Sequence, residues 1–498
     1  MPDRPNIVVM LSDQQRYDTL ACYGNDWIQT PNLNALADES FVFDAAYVTQ
    51  PVCTPARASI MTGLYPHAAG PIVNKLSLAP EVRTVGDMAP DEYHRGYYGK
   101  WHLGDDVVAQ HGFHEWVSSE DGHRSQYTKP EYLGLMSDYH QFLVGLGYEP
   151  ETKVRGAKIF DAWQRALLPR EHQMASFLGA QAAEFIERNK DRPFILYVST
   201  FEPHPPFYGP LNDLYDPAAL PAGPAFLREP EGAALVNRVR AEYAMRYLRT
   251  GETPQPGDYI TESAAAALGN DVTTEQGWRT LRARYMANIT LVDDMVGAIT
   301  GTLDRAGIAD NTAVVFSAEH GDMLGDHGML EKRSFYEEAA RVPLLLRAPW
   351  LSKTQTRIED SFGQIDLAPT LLDIMGAVPQ PHLQGESRLP VLKGDATLEE
   401  VDVFIQWNGI HSDIEDRFLG TGEINRMLTW PWRSAVADRW KLNLCAGDQC
   451  ELFDLRNDPH ELVNLFNNPD QKDRIRDMAA RIHAWQVRTG DTAPLPSV

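Results

Sequence analysis

The chain has 498 residues, 43% of them hydrophobic and 23% charged, a composition that excludes a disordered or fibrous protein and suffices for one large domain or two. Lys+Arg 45 against Asp+Glu 69 leave a net charge of −24, which repels nucleic acid and anionic lipid and excludes phosphate-backbone binding as the main activity. An anionic small substrate would need local cations to draw it in against that field.

The apolar run Ile7 to Leu11 is too brief for the core of a secretory leader, and no stretch approaches membrane-spanning length. The four cysteines, Cys22, Cys53, Cys445 and Cys450, do not make a secreted disulfide framework. A cytoplasmic location is expected, with no membrane and no nucleic acid as partner.

In chain order, the first expected element is a buried strand over Asn6 to Leu11, followed at once by Asp13 and Gln14. A short helix follows, with Thr54 as N-cap, Pro55 at the first helical position and Gly63 as terminator. That placement sets Cys53 at a positive helix end with Arg57 one turn along, a setting that stabilises anions. Asn74 reads either as a substrate contact through its amide or as a turn residue.

Lys100 and His102 lie two apart at what reads as a strand end, so both are expected to face one side. A second buried strand, Phe194 to Ser199, leads to Glu202 and His204. Residues 205–270 are rich in Pro and Gly and carry Phe207, Tyr208, Tyr215 and Tyr259. They read as a pocket-covering insertion, with an ordinary surface insertion an equal alternative and core packing the commoner use of such aromatics.

An apolar stripe predicts a helix from about Thr274 to Arg305, ended by Gly307. A third buried strand, Thr312 to Ser317, precedes Glu319, His320 and Asp322, with Lys332 further on. Towards the C-terminus, Trp440 to Leu444 and Cys450 to Leu455 read as an antiparallel hairpin and Glu461 onward as helix, with Cys445 and Cys450 as reduced core thiols. The alternation predicts an α/β fold: a large, mostly parallel sheet flanked by helices over 1–380, and a smaller α+β subdomain on a short antiparallel sheet over 381–498. Ligands of such sheets bind beyond the carboxyl ends of the strands, where the three polar clusters could converge.

Cys53-Thr-Pro-Ala-Arg57 carries a Cys-x-Pro-x-Arg pattern, and further motifs follow in Gly96-Tyr-Tyr-Gly-Lys100-Trp-His102-Leu-Gly104, His204-Pro-Pro-Phe207, Glu319-His-Gly-Asp-Met-Leu-Gly-Asp-His327 and Glu451 to Glu461. In these motifs and their order, across nearly the whole chain, the protein resembles the type I, formylglycine-dependent sulfatases of the alkaline phosphatase superfamily. The resemblance implies that of their fold, and that Cys53 is oxidised by a formylglycine-generating enzyme to an aldehyde, whose hydrate is the nucleophile. One hydroxyl then attacks sulfur and displaces the alcohol, and the other lets the sulfated adduct collapse to sulfate and aldehyde.

By the same resemblance Asp13, Gln14, Cys53, Glu319 and His320 form the metal site. Its oxygen-rich donors suit Ca²⁺, with Mg²⁺ or Mn²⁺ as alternatives. Lys100, His204 and Lys332 would contact the sulfate, His102 would handle the proton of the second hydroxyl, and His204 could instead protonate the leaving alcohol. Arg57, Lys100 and Lys332 are then the local cations that the acidic surface makes necessary. Two positions depart from the family pattern, which has aspartate where this chain has Glu319 and usually aspartate at Gln14.

The expected activity is hydrolysis of a sulfate monoester, with choline, sugar and aryl sulfates all fitting. A phosphonate monoester or phosphodiester hydrolase of the same superfamily is the nearest alternative, against which Lys100 and His102 argue. A non-catalytic binder of sulfated ligands is a second alternative, to which Glu319 lends weight.

Overall fold

The computed structural model describes residues 4–230, 232–254, 271–409 and 422–498. The main sheet contains strands β1 (Asn6–Ser12), β2 (Phe41–Tyr47), β3 (His94–Gly99), β4 (Glu115–Ser118), β5 (Phe194–Ser199), β6 (Thr312–Ala318), β7 (Leu344–Arg347) and β8 (Thr356–Gly363). Their spatial order is β8-β2-β7-β6-β1-β5-β3-β4, with Arg341–Val342 added against β2. β1 pairs in parallel with β5 and β6, and β3 in parallel with β4 and β5; only β7 and the short Arg341–Val342 strand run antiparallel to their neighbours. The sheet is therefore mostly parallel, as expected.

The three strands expected from apolar runs are its centre, β6-β1-β5, and β1 shows why those runs are continuous rather than alternating. Ile7, Val9 and Leu11 pack into the core on one face, and Val8 and Met10 into the core on the other. A strand covered on both sides needs apolar residues at every position. The long helix Glu275–Arg305 covers one face, with Leu291, Val292, Met295, Val296, Ile299 and Leu303 in the same core as Val8 and Met10. Thr274 caps it through a hydrogen bond from Gly277 N–H, and Gly307, in the left-handed region at φ 71°, follows its end.

A second, antiparallel sheet follows: β9 (Val403–Trp407), β10 (Trp432–Ala437), β11 (Trp440–Leu444) and β12 (Glu451–Asp454). β11 and β12 form the expected hairpin, and Cys445 and Cys450 beside its loop are buried free thiols. The helix read from Glu461 onward begins only at Lys472 and runs to Thr489. Glu461 has a left-handed backbone (φ 50°), and its carboxylate is 2.8 Å from Lys441 Nζ and accepts Glu337 N–H at 2.7 Å. That buried ion pair pins the residue outside any helix.

Among the described residues no helix is long and apolar enough to cross a membrane. Of the aromatics in the inserted segment, Phe207 and Tyr215 are buried core residues, Tyr208 lies under the Arg284 guanidinium, and Tyr259 falls outside the described residues.

Candidate active site

Parallel strands end on the same side, and register decides which residues meet there. Ser12 pairs with Ala318, and Leu11 and Gly99 both pair with Ser199. The next residues are Asp13, Glu319 and Lys100, so one row of strand ends delivers two carboxylates and an ammonium. Gly99 makes the approach feasible: at φ 108° a Cβ would lie 1.9 Å from Ser199 O.

Cys53 opens the helix Cys53–Thr62, preceded by extended Val52. The expected N-cap role of Thr54 is thus corrected. The first intrahelical bond runs from Ala56 N–H to Val52 O at 3.1 Å, which leaves Cys53, Thr54 and Pro55 in the first turn, where proline's missing N–H costs nothing. Thr54 instead donates its hydroxyl to the carbonyls of Asn74 (3.2 Å) and His102 (2.9 Å). Asn74 Oδ1 accepts Thr54 N–H at 3.1 Å, so the amide oxygen of Asn74 is spent on the helix end. Gly63 ends the helix in the left-handed region, as expected.

Cys53 Sγ lies 3.2 Å from His320 Nε2. Asp13, Cys53, Glu319 and His320 are all buried and each offers a ligand atom within 4.8 Å of the others. His320 Nδ1 is 2.9 Å from Gly321 O, which fixes the ring with Nε2 toward the cluster. Asp13 Oδ1 is buried and accepts no hydrogen bond among the described residues. Buried carboxylates and an imidazole nitrogen around an unfilled acceptor fit a divalent cation. The longer arm of Glu319 also pairs with Arg57, through Oε2 to Nε, while Oε1 lies 3.3 Å from His320 Nε2.

The cations face these acids. Lys100 Nζ pairs with Asp13 Oδ2. Burial works against its charge, yet Asp13 beside it keeps the ammonium protonated well above the usual lysine range. Arg57 donates through Nη1 to Lys100 O (2.6 Å) and Ser199 Oγ (2.9 Å), while Nη2 is buried without a hydrogen-bond partner among the described residues. Lys332 Nζ donates to Gln14 Oε1 at 2.6 Å and sits 3.1 Å from His204 Nε2. Gln14 itself has a left-handed backbone (φ 68°), and its carbonyl accepts Tyr285 OH at 2.7 Å while its amide donates to Asp322.

His204 Nδ1 lies 3.0 Å from Pro205 O, and burial, then Lys332, hold its pKa well below the ordinary histidine value. The ring is therefore neutral, with Nε2 accepting from Lys332.

His102 departs from the strand-alternation expectation. β3 stops at Gly99, and His102 turns into the left-handed region at φ 55°. Its N–H is held by Asp106 Oδ1 at 3.0 Å, and its ring stacks on His123 with centroids 4.1 Å apart. Burial, then His123 and Lys100, keep it neutral. Asp106 and His123, 3.3 Å apart, escaped the sequence reading, although the acidic pair directly after the Lys100-Trp-His102 motif offered a signal. Asp326 and His327 serve structure: Asp326 pairs with Arg16 at 2.7 Å, and His327 stacks on Tyr336 at 3.8 Å.

A family model described as sulfatase matches residues 5–377. The chain belongs to the sulfatase family. Similar relatives of this sulfatase include the uncharacterized sulfatase YidJ of Escherichia coli (strain K12), 28% identical over 97% of this chain and 90% of that one. The choline-sulfatase of Rhizobium meliloti (strain 1021) is also 28% identical, over 98% of this chain and 88% of that one. A solved structure of a protein in complex with its substrate D-glucosamine-2-N,6-O-disulfate has a TM-score of 0.76 at 21% identity, covering 99% of both chains, a likeness of fold. Hydrolysis of sulfate esters is the activity that family membership carries.

Proposed function

We propose that this sulfatase releases inorganic sulfate from a small monoester, a sulfated sugar by preference, using a formylglycine made from Cys53 by a formylglycine-generating enzyme. The observation that carries the reading is the position of Cys53: first residue of a helix, 3.2 Å from His320 Nε2 and inside a buried four-donor cluster. Asp13, Glu319 and His320, with Gln14 beside them, would hold a divalent cation, Ca²⁺ being the best match to the donors. When bound, that ion would supply Lewis acidity and charge neutralisation beside the nucleophile.

The chain's own residues then divide the work. Lys100, Arg57 and Lys332 provide three buried positive charges for the oxygens of the sulfuryl group, in a site where low polarity strengthens each contact. His204, neutral and accepting from Lys332 at 3.1 Å, orients that ammonium, which carries a proton the departing alcohol oxygen can take. His102, neutral and braced by Asp106 and His123, acts as the base for the second hydroxyl. Asn74 acts indirectly by completing the helix end that carries Cys53. The sugar preference draws on the structural neighbour whose substrate is a disulfated glucosamine. We also propose that 1–380 and 381–498 are the structural units.

The experiment is a rate comparison on the converted protein, across sulfated saccharides, choline sulfate, an aryl sulfate and an aryl phosphonate monoester. The reading expects sulfate esters to be turned over faster than the phosphonate, with a saccharide at the top. A phosphonate hydrolysed much faster than every sulfate would overturn it.

A further inference from the structure

Lys332 occupies a loop whose backbone is gripped from outside the site. Glu331 and Arg333 on either side of it both adopt left-handed conformations, φ 63° and 68°, which residues other than glycine keep only when their surroundings impose them. Glu331 N–H is held by Asp322 Oδ1 at 3.2 Å, Glu331 O by Met323 N–H at 2.8 Å and Arg333 N–H by Pro51 O at 3.1 Å, and the carbonyl side of the loop is held by Arg240. It lies in the helix Leu235–Thr250 of the inserted segment and is 5% exposed. Its Nη1 donates to Arg333 O at 2.8 Å, and its Nη2 donates to Lys332 O at 2.6 Å and reaches Leu330 O at 3.5 Å. A planar guanidinium presents these donors in a fixed fork, so one side chain sets the relative positions of three carbonyls within four residues.

The helix is itself anchored at its start by the second sheet. Asp448, in the loop between β11 and β12, accepts Leu235 N–H at 2.8 Å and Val236 N–H at 3.0 Å through its two carboxylate oxygens. Glu451 accepts Ala234 N–H at 2.8 Å. These bonds satisfy amides that a helix end leaves open and place negative charge where the helix dipole favours it. A continuous path of named contacts thus runs from the C-terminal hairpin through the helix to the main chain of Lys332, whose Nζ reaches Gln14 and His204.

We propose that Arg240 is the positioning residue of Lys332, and that the helix Leu235–Thr250 serves as the strut presenting it. The proposal rests on Lys332 contacting the sulfate. It gives the inserted segment a role in the site without any contact between Arg240 and substrate.

The test is a double-mutant cycle on the converted enzyme with a sulfate ester substrate: R240K, K332A and R240K/K332A. Lysine keeps the charge but cannot span three carbonyls. R240K is expected to lower kcat/KM by at least about 10-fold, chiefly through KM, in protein that keeps its fold by circular dichroism. Beside K332A, the same change should cost less than about 2-fold, since a group acting through Lys332 has nothing left to act on. An R240K effect of equal size in both backgrounds would overturn the role of Arg240. Wild-type rates for K332A would overturn the reading of Lys332 and this proposal with it. If R240K does not fold, D448N supplies the second route: the weakened anchor should raise KM only where Lys332 is present, and an effect persisting beside K332A counts against the strut.

Discussion

Asp13, Glu319, Arg57, Lys100 and Lys332 are all buried, and each charge is met by another side chain: Lys100 by Asp13, Arg57 by Glu319, Lys332 by the amide of Gln14. A buried charge without a partner is costly, so each of these groups is buried together with a side chain that can meet it. Lys100 is therefore structural as well as a proposed sulfate contact. Lys100→Met strands the Asp13 carboxylate, and we expect a loss of about 3–5 kcal/mol in metal-free unfolding free energy. Added Ca²⁺ should recover more stability in the variant than in the wild type, because Asp13 regains a positive neighbour. Urea titrations with and without the ion measure both quantities, and equal increments for the two proteins would remove Lys100 from the site's charge balance. The activity of the variant should fall about 10²-fold or more, as for loss of one donor to a developing anion.

At the level of strands and loops, what was legible in the sequence follows from burial. β1, β5 and β6 announced themselves because a strand covered on both faces must be apolar throughout, and Asp13 after β1 and Glu319 after β6 meet in the buried cluster. The convergence of Asp13, Glu319 and His320 was therefore legible in their place after the strands, whereas the roles given to Cys53 and Arg57 came from the family resemblance. The features missed depend on contacts distant in sequence and on main-chain atoms, which leave no residue pattern. Arg240 grips carbonyls some 90 residues away, and His123 is tied to His102 by stacking and by a shared Asp106. The helix misplaced at Glu461 has the same origin, since a buried lysine on β11 decides where that glutamate lies. Gly99 lets β3 and β5 approach closely at their ends. Gly99→Ala would put a Cβ against the Ser199 carbonyl and is expected to cost several kcal/mol or abolish folding, whereas Gly134→Ala, where nothing lies within 4 Å, should shift the thermal midpoint little. Comparable melting of the two variants would mean that β3 and β5 do not depend on this close approach.

For the molecule as a whole, the net charge of −24 and the buried cations are two sides of one design. The surface discourages polyanions at large, while Arg57, Lys100 and Lys332 are buried cations at the strand ends, where the proposed sulfate would sit. The two sheets are joined through buried ions as well as apolar contacts, with Lys441 between Glu337 at 2.7 Å and Glu461 at 2.8 Å, so the C-terminal sheet is built into the frame that presents the site. On the proposed function, this frame places an oxidised Cys53 among its donors. Intact-mass analysis of the active protein, matched to sulfate release by the same preparation, tests it most directly. Conversion lowers the mass by about 18 Da at the Cys53 peptide, and release should scale with the converted fraction and vanish in Cys53→Ala. Full sulfate turnover by protein whose Cys53 is an unmodified thiol, or by the alanine variant, would contradict it.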